Sequence, residues 1–354
     1  MKLLTTLCCL LALAPIAAHA NDLQSADNKN IQYVGRVDFS NPKLPRFWAP
    51  GVYIRAKFKG TYCNAVFNDQ VLWGNSHNWI EVVVDDQPLV RIATTGSTNV
   101  IPVAKDLPDG VHTVTLCKDT EAAMGYLEFV GFHCTGLVKP DRLPKHKIEF
   151  VGDSITSGYG NDPSAFPCGQ GTWYDQHNAY MAYGPVTARK LNAQWMLSSL
   201  SGIGLIHSCC NHNVLMPQAF DDMAIAEPLV PGKWNFKRYQ PDVVTICLGQ
   251  NDGSANPQQF RQTYVDFVRA LRKDYPKAQI FCLTSPMADD NLLAVMKDNL
   301  TWVVDQLNQA GDKKVHYVEL PHHLNDGCGT HPTIAQDATV ADTLSADIAV
   351  VMHW

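Results

Sequence analysis

The chain lacks any long run of charge of one sign: its 28 basic and 34 acidic residues are dispersed and leave a formal charge of −6. No surface of the kind that binds nucleic acid follows from that pattern, and neutral or weakly charged partners fit it better. Beyond the N-terminus the sequence also lacks an apolar run near the roughly 20 residues that cross a bilayer, which argues against stable membrane insertion. Internal repeats and low-complexity tracts are absent as well. With 46% hydrophobic and 18% charged residues in 354, disorder, collagen and coiled coil are excluded. At roughly 100 to 200 residues per domain, the length implies about two domains, each with its own core.

What is present begins with an apolar N-terminus. Residues 1–20 read as a secretory signal peptide: Lys2 supplies the positive start, residues 3–16 are mostly apolar, and Ala18, His19 and Ala20 form a cleavage site before Asn21. The mature protein is therefore expected to be secreted or periplasmic. Cys8 and Cys9 lie within the apolar region rather than at its end, which argues against lipid attachment. Nine cysteines remain, an odd number, so at least one is a free thiol or pairs outside the chain. Cys247 and Cys282 sit in apolar runs and read as buried reduced thiols. An oxidising compartment permits disulfides among the others, with a connectivity that spacing does not give.

Residues 21–136 read as an antiparallel β-sandwich, jelly-roll-like, because short alternating segments at 52–58, 62–67, 79–84, 111–116 and 126–132 are separated by turn residues. Residues 137–147, with Pro140 and Pro144, read as a linker. From 148 to 354 the pattern changes. Apolar segments at 148–151, 195–200, 243–248, 280–283 and 315–320 alternate with helical spacing, as in Phe260, Tyr264, Phe267, Val268 and Leu271. This second domain reads as a doubly wound α/β fold with a parallel sheet.

Four short blocks in that second domain carry candidate chemistry. Gly152, Asp153 and Ser154 end the first strand, where open α/β sheets build their sites; without a partner, Ser154 could equally cap a helix. Ser201 and Gly202 end the second, and Gly202 can offer a backbone N–H. Gly249, Gln250, Asn251 and Asp252 end the third, and the Asn251 amide can donate to an oxyanion at the first turn. His331, after the fifth strand, is a candidate base for a serine, although a lone histidine is more often structural.

In order, these blocks resemble those of the SGNH (GDSL-type) hydrolases, and the sandwich ahead of them resembles the two-domain carbohydrate esterase family 2 enzymes, which deacetylate plant polysaccharides. The segment from Ala179 to Gly184, followed by Ala188 and Arg189, is similar to that group too. The resemblance implies an esterase with Ser154 as nucleophile and His331 as general base. It assigns the oxyanion hole to the Ser154 N–H, the Gly202 N–H and the Asn251 side chain, with an acetylated polysaccharide or oligosaccharide as substrate and no cofactor. Such enzymes usually carry an aspartate three residues before the histidine, and this subfamily often two before it; here those positions hold Cys328 and Gly329. Either Asp326 or a backbone carbonyl must then orient the ring. A same-fold lipase or thioesterase for longer acyl chains, and a non-catalytic carbohydrate-binding protein, are the alternatives. Because all four blocks follow residue 147, the sandwich is expected to shape the cleft rather than to catalyse.

Other residues invite weaker readings. The run from His207 to His212 has metal-ligand residue types without the separated pairs of a structural zinc site. His322 and His323 read as solvated loop histidines that could line the cleft. Trp73, Trp79, Trp173 and Tyr174 could stack on sugar rings or fill the core, and Asp153 reads as a brace for the serine turn.

Overall fold

The structure, a computed structural model, describes residues 23–226, 230 and 232–354; the expected signal at 1–20 lies outside the described residues. Period-two alternation in the N-terminal part becomes nine antiparallel strands: β1 (Leu23–Ser25), β2 (Ile31–Val34), β3 (Arg46–Phe47), β4 (Tyr53–Asp69), β5 (Trp79–Val84), β6 (Val90–Ala93), β7 (Thr98–Ala104), β8 (Val111–Lys118) and β9 (Leu127–Val138). They form one hydrogen-bonded sheet in the order β1-β9-β4-β8-β5-β6, with β2 and β7 added to β4 and β3 to β9. The first half of β4 pairs with β8 and its second half with β7, while β9 pairs with it between Lys57 and Asp69. The sheet thus folds over a core that contains Phe58, Phe67, Leu116, Phe129 and Phe132.

The two strands expected at 52–58 and 62–67 are therefore one. The chain bends at Gly60, whose φ of +112° suits a residue without Cβ. β7 escaped the sequence reading because Pro102 lies inside it, which an edge strand tolerates and a central strand does not.

After residues 139–145 the parallel domain follows: β10 (His146–Gly152), α1 (Ser154–Ser157), α2 (Tyr183–Lys190), β11 (Ala193–Ser199), α3 (Met216–Ala219), β12 (Val243–Cys247), α4 (Pro257–Asp274), β13 (Gln279–Leu283), α5 (Asp290–Gln309), β14 (Val315–Val318) and α6 (Ile334–Met352). The strand order is β11-β10-β12-β13-β14, all parallel. Every residue of β11 and β12 is buried, as expected of strands covered on both faces. Phe260, Tyr264, Leu271 and Leu300 of α4 and α5 cover one face; Tyr183, Ala188, Leu344 and Ile348 of α2 and α6 cover the other. Strand order reverses at β10, so the crevice for a ligand opens beyond its carboxyl end.

The two parts are joined by buried polar contacts as well as by chain. Arg36 is buried against Glu149 at 3.3 Å and donates to the carbonyls of Phe220 and Asp222. Asn178 donates to Glu81 of β5 at 3.0 Å and to Asp162 at 2.9 Å. The Tyr53 and Trp195 rings lie 4.1 Å apart, centroid to centroid.

Candidate active site

Register brings the four blocks together. Gly152 at the end of β10 lies level with Ser199 of β11 on one side and Cys247 of β12 on the other. Ser154 therefore emerges between the turn that carries Gly202 and the turn that carries Asn251. A Cβ on Gly152 would collide with the Thr156 side chain, so the strand can turn into α1 at once. Asp153 caps that helix by accepting from the Ile155 N–H at 3.0 Å, which fixes the serine at its first position.

His331 reaches the serine from the loop before α6. Its Nε2 lies 2.8 Å from Ser154 Oγ, and its Nδ1 lies 2.8 Å from the carbonyl oxygen of Gly329. Asp326 is occupied elsewhere: it accepts from Gln336 Nε2 at 2.7 Å, while its own N–H donates to Gln336 Oε1. Gln336 is the N3 residue that closes the capping box begun by Thr333, so this carboxylate belongs to the start of α6. Burial pushes the His331 pKa below that of a free imidazole, and the bond to Gly329 opposes the shift only partly. The ring is therefore neutral at neutral pH, as a general base must be.

The remaining blocks are held by donors rather than by packing alone. Asn251 donates from its amide to the Ile203 carbonyl at 3.0 Å and to Asp153 Oδ2 at 3.2 Å. Asp252 accepts from the N–H groups of Leu205, Ile206 and His207 and so ties the Gly202 loop to the Asn251 turn. Gly202 has φ +81°, and a Cβ there would come within 2.9 Å of His212. Burial and the neighbouring Asp252 raise the Asp153 pKa to about 7.

Sequence reasoning missed three contributors. Tyr159 lays its ring on His331 at 4.3 Å and on Trp173 at 5.8 Å. Glu121, from the turn between β8 and β9, is buried and accepts from the Ser201 N–H at 2.7 Å, one residue before Gly202. Cys328 is joined to Cys168, three residues before the histidine. None has a local signature, because each acts through a partner remote in sequence.

Other candidates are sorted by exposure and partners. Trp79 and Tyr174 are buried, and Trp79 donates to Asp175 at 3.0 Å; Trp173 is 46% exposed and Trp73 is 72% exposed. In the 207–212 run, Cys209 and Cys210 are joined to each other and His207 Nδ1 faces the Asn251 carbonyl at 2.8 Å. His322 and His323 place their Nε2 atoms 3.3 and 2.9 Å from Asp290 Oδ1. Cys247 and Cys282 are buried and outside any disulfide.

Residues 150–347 match the GDSL-like Lipase/Acylhydrolase family model, over more than half of the chain. The chain belongs to this family. Residues 33–144 match the model described as Carbohydrate esterase 2 N-terminal, and the two matches in this order place the GDSL chain among the family 2 carbohydrate esterases. It is similar to a solved family two carbohydrate esterase from Clostridium thermocellum, at 32% identity and a TM-score of 0.84, over 92% of this chain and 99% of that one. A second such structure, from Cellvibrio japonicus, is 26% identical with a TM-score of 0.83, over 93% and 97%. The cellulase/esterase CelE of Acetivibrio thermocellus is 34% identical over 346 residues; the family 2 chain described here spans only 41% of its length. An acetylxylan esterase / glucomannan deacetylase of Cellvibrio japonicus is 26% identical over 337 residues, 93% of this chain and 91% of that protein.

Proposed function

We propose that the chain is a secreted serine esterase that removes O-acetyl groups from a plant-type polysaccharide. The observation that carries this reading is the 2.8 Å contact between Ser154 Oγ and His331 Nε2, with Nδ1 held by the Gly329 carbonyl. The tautomer follows from that carbonyl: it can only accept, so Nδ1 carries the proton and Nε2 is free to take one. Nε2 removes the Ser154 proton as Oγ attacks the acetyl carbonyl, then gives it to the sugar oxygen as the ester C–O bond breaks, so that the sugar leaves with a free hydroxyl. Water, activated by the same nitrogen, hydrolyses the acetyl-enzyme and regenerates the serine. The charge on the acetyl oxygen is met by the N–H groups of Ser154 and Gly202 and by the Asn251 amide, whose longer bond to Asp153 is the one it gives up.

The substrate class rests on the relatives. The Cellvibrio japonicus protein is named for acetylxylan and glucomannan, and the Clostridium thermocellum structure holds cellohexaose. The half-exposed Trp173, stacked on Tyr159 beside His331, offers an apolar face for a sugar ring here. The test is acetate release from acetylated xylan and glucomannan, with aryl acetate and aryl octanoate compared. Acetate release with a strong preference for the acetyl ester supports the reading, and preference for octanoyl overturns it. Ser154→Ala should lower kcat by several orders of magnitude at unchanged melting temperature; activity above about a tenth of wild type removes Ser154 as nucleophile.

A further inference from the structure

His331 is oriented by a neutral backbone carbonyl, where the usual serine–histidine site uses a carboxylate that is itself fixed by hydrogen bonds. A carbonyl on a loop is only as well placed as the loop. Here the loop runs through two successive left-handed residues, Gly329 at φ +62° and Thr330 at φ +57°, which turn the Gly329 oxygen back toward the ring two residues on. Thr330 is not glycine, so its conformation costs energy and must be held; its own hydroxyl donates to the Gly329 carbonyl at 2.7 Å and the Gly327 N–H to the His331 carbonyl at 2.7 Å, and the rest of the restraint comes from outside the turn.

That restraint converges on the residue just before the turn. Cys328 is buried, donates its N–H to the Gly160 carbonyl at 2.8 Å and is bonded through sulfur to Cys168, with a Cα–Cα separation of 5.1 Å. The loop on the Cys168 side is itself anchored. Gln176 Nε2 donates to the carbonyls of Phe166 and Gln170 on either side of Cys168, and Asp175 accepts from the Thr172 N–H at 2.6 Å. Asp175 and His177 are tied in turn to the β-sheet domain: Arg91 donates to their carbonyls at 2.9 and 2.5 Å, and His77 meets the Asp175 carboxylate at 2.6 Å. A continuous chain of bonds thus leads from β6 and from His77, just before β5, through the disulfide to Gly329 and His331.

We propose that the Cys168–Cys328 disulfide positions the catalytic base, holding the Gly329 carbonyl where other such sites hold a carboxylate, so that full activity requires the oxidised enzyme. This rests on the reading of His331 as the base. Cys168 is exposed and Cys328 buried, so the side from which a reductant approaches the bond is that of Cys168.

The experiment uses the full chain and a small aryl acetate, which does not depend on polysaccharide contacts. Cys168→Ser and the double variant Cys168→Ser/Cys328→Ser should each lose about 10- to 100-fold in kcat with KM within twofold, the signature of a base out of line rather than a lost binding surface. Should the variants fail to fold, wild type under mild reductant supplies the same measurement, with near-UV circular dichroism reporting the fold. Reductant must lower kcat by a similar factor and reoxidation must restore it. Since the Cys209–Cys210 pair would be reduced too, the titration is repeated in Cys209→Ser/Cys210→Ser, where the sensitivity must persist. A Cys168→Ser enzyme within twofold of wild-type kcat, or reductant sensitivity abolished by removing Cys209 and Cys210, overturns the proposal. His331→Ala separates the two readings: if it is inactive while Cys168→Ser is not, only the positioning role fails, and if it stays active the assignment of the base fails.

Discussion

Two residues of one loop compete to orient the histidine, and spacing alone does not choose between them. Asp326 and a carbonyl of the same loop both stood within five residues of His331, and spacing does not say which way a carboxylate turns. What decides is Gln336, ten residues beyond Asp326, which exchanges two hydrogen bonds with it as part of the α6 cap. Asp326→Asn should therefore change kcat less than about tenfold, against the roughly 10⁴ lost when a triad aspartate becomes an amide. The acid limb of kcat/KM should stay below the ordinary histidine value of 6.5 in both proteins, because burial lowers the ring pKa and Asp326 takes no part in it. Kinetics on an aryl acetate between pH 4 and 8 reads both. A loss near 10⁴ at unchanged stability would make Asp326 the ring's partner.

At the scale of elements, the four blocks could be placed in advance because parallel strands buried on both faces announce themselves as unbroken apolar runs, and a site at their carboxyl ends follows from topology. The loops at 158–178 and 200–215 had no such signal. They have no periodicity, and they are shaped by partners far along the chain, such as Asp252 for residues 205–207 and Glu121 for Ser201. Glu121 is the sharpest case, because it belongs to the β8–β9 turn and yet holds the N–H next to Gly202. Glu121→Ala should lower kcat about 10- to 100-fold with little change in KM, by letting the Gly202 turn relax. Glu121→Gln, which can still accept from the Ser201 N–H, should recover most of it. The comparison is made well below the melting temperature, since the Glu121 carboxylate is a charge neighbour of the buried Lys118 and the alanine variant, which removes that charge, is also expected to be less stable. Unchanged kcat in the alanine variant would reduce Glu121 to a structural contact.

For the whole molecule, the change of period near residue 146 correctly announces two architectures, but it says nothing of how they depend on each other. All four blocks do follow residue 147, and that arrangement alone suggests a catalytic domain able to stand by itself. The contacts argue otherwise. Without the β-sheet part, Asn178 loses its bond to Glu81, the Tyr180 N–H loses Asp119 at 3.2 Å, and Trp195 loses both the Tyr53 ring and the Gly51 carbonyl it donates to at 2.9 Å. These groups are buried in the full chain; exchanging each of their bonds for one to water costs about 0.5 to 1.5 kcal/mol, and the apolar surface around them is laid open as well, together a large part of a domain's net stability. Residues 140–354 expressed alone should therefore lack a cooperative melting transition and retain below about one per cent of wild-type kcat on an aryl acetate, while the full chain melts in a single step. Calorimetry of both, with the same assay, checks this. A fragment that melts cooperatively and hydrolyses the small ester at near wild-type rate would mean that Glu121, Arg91 and Asp119 serve only to join the two parts, and the path from the β-sheet to the catalytic loops would carry no function.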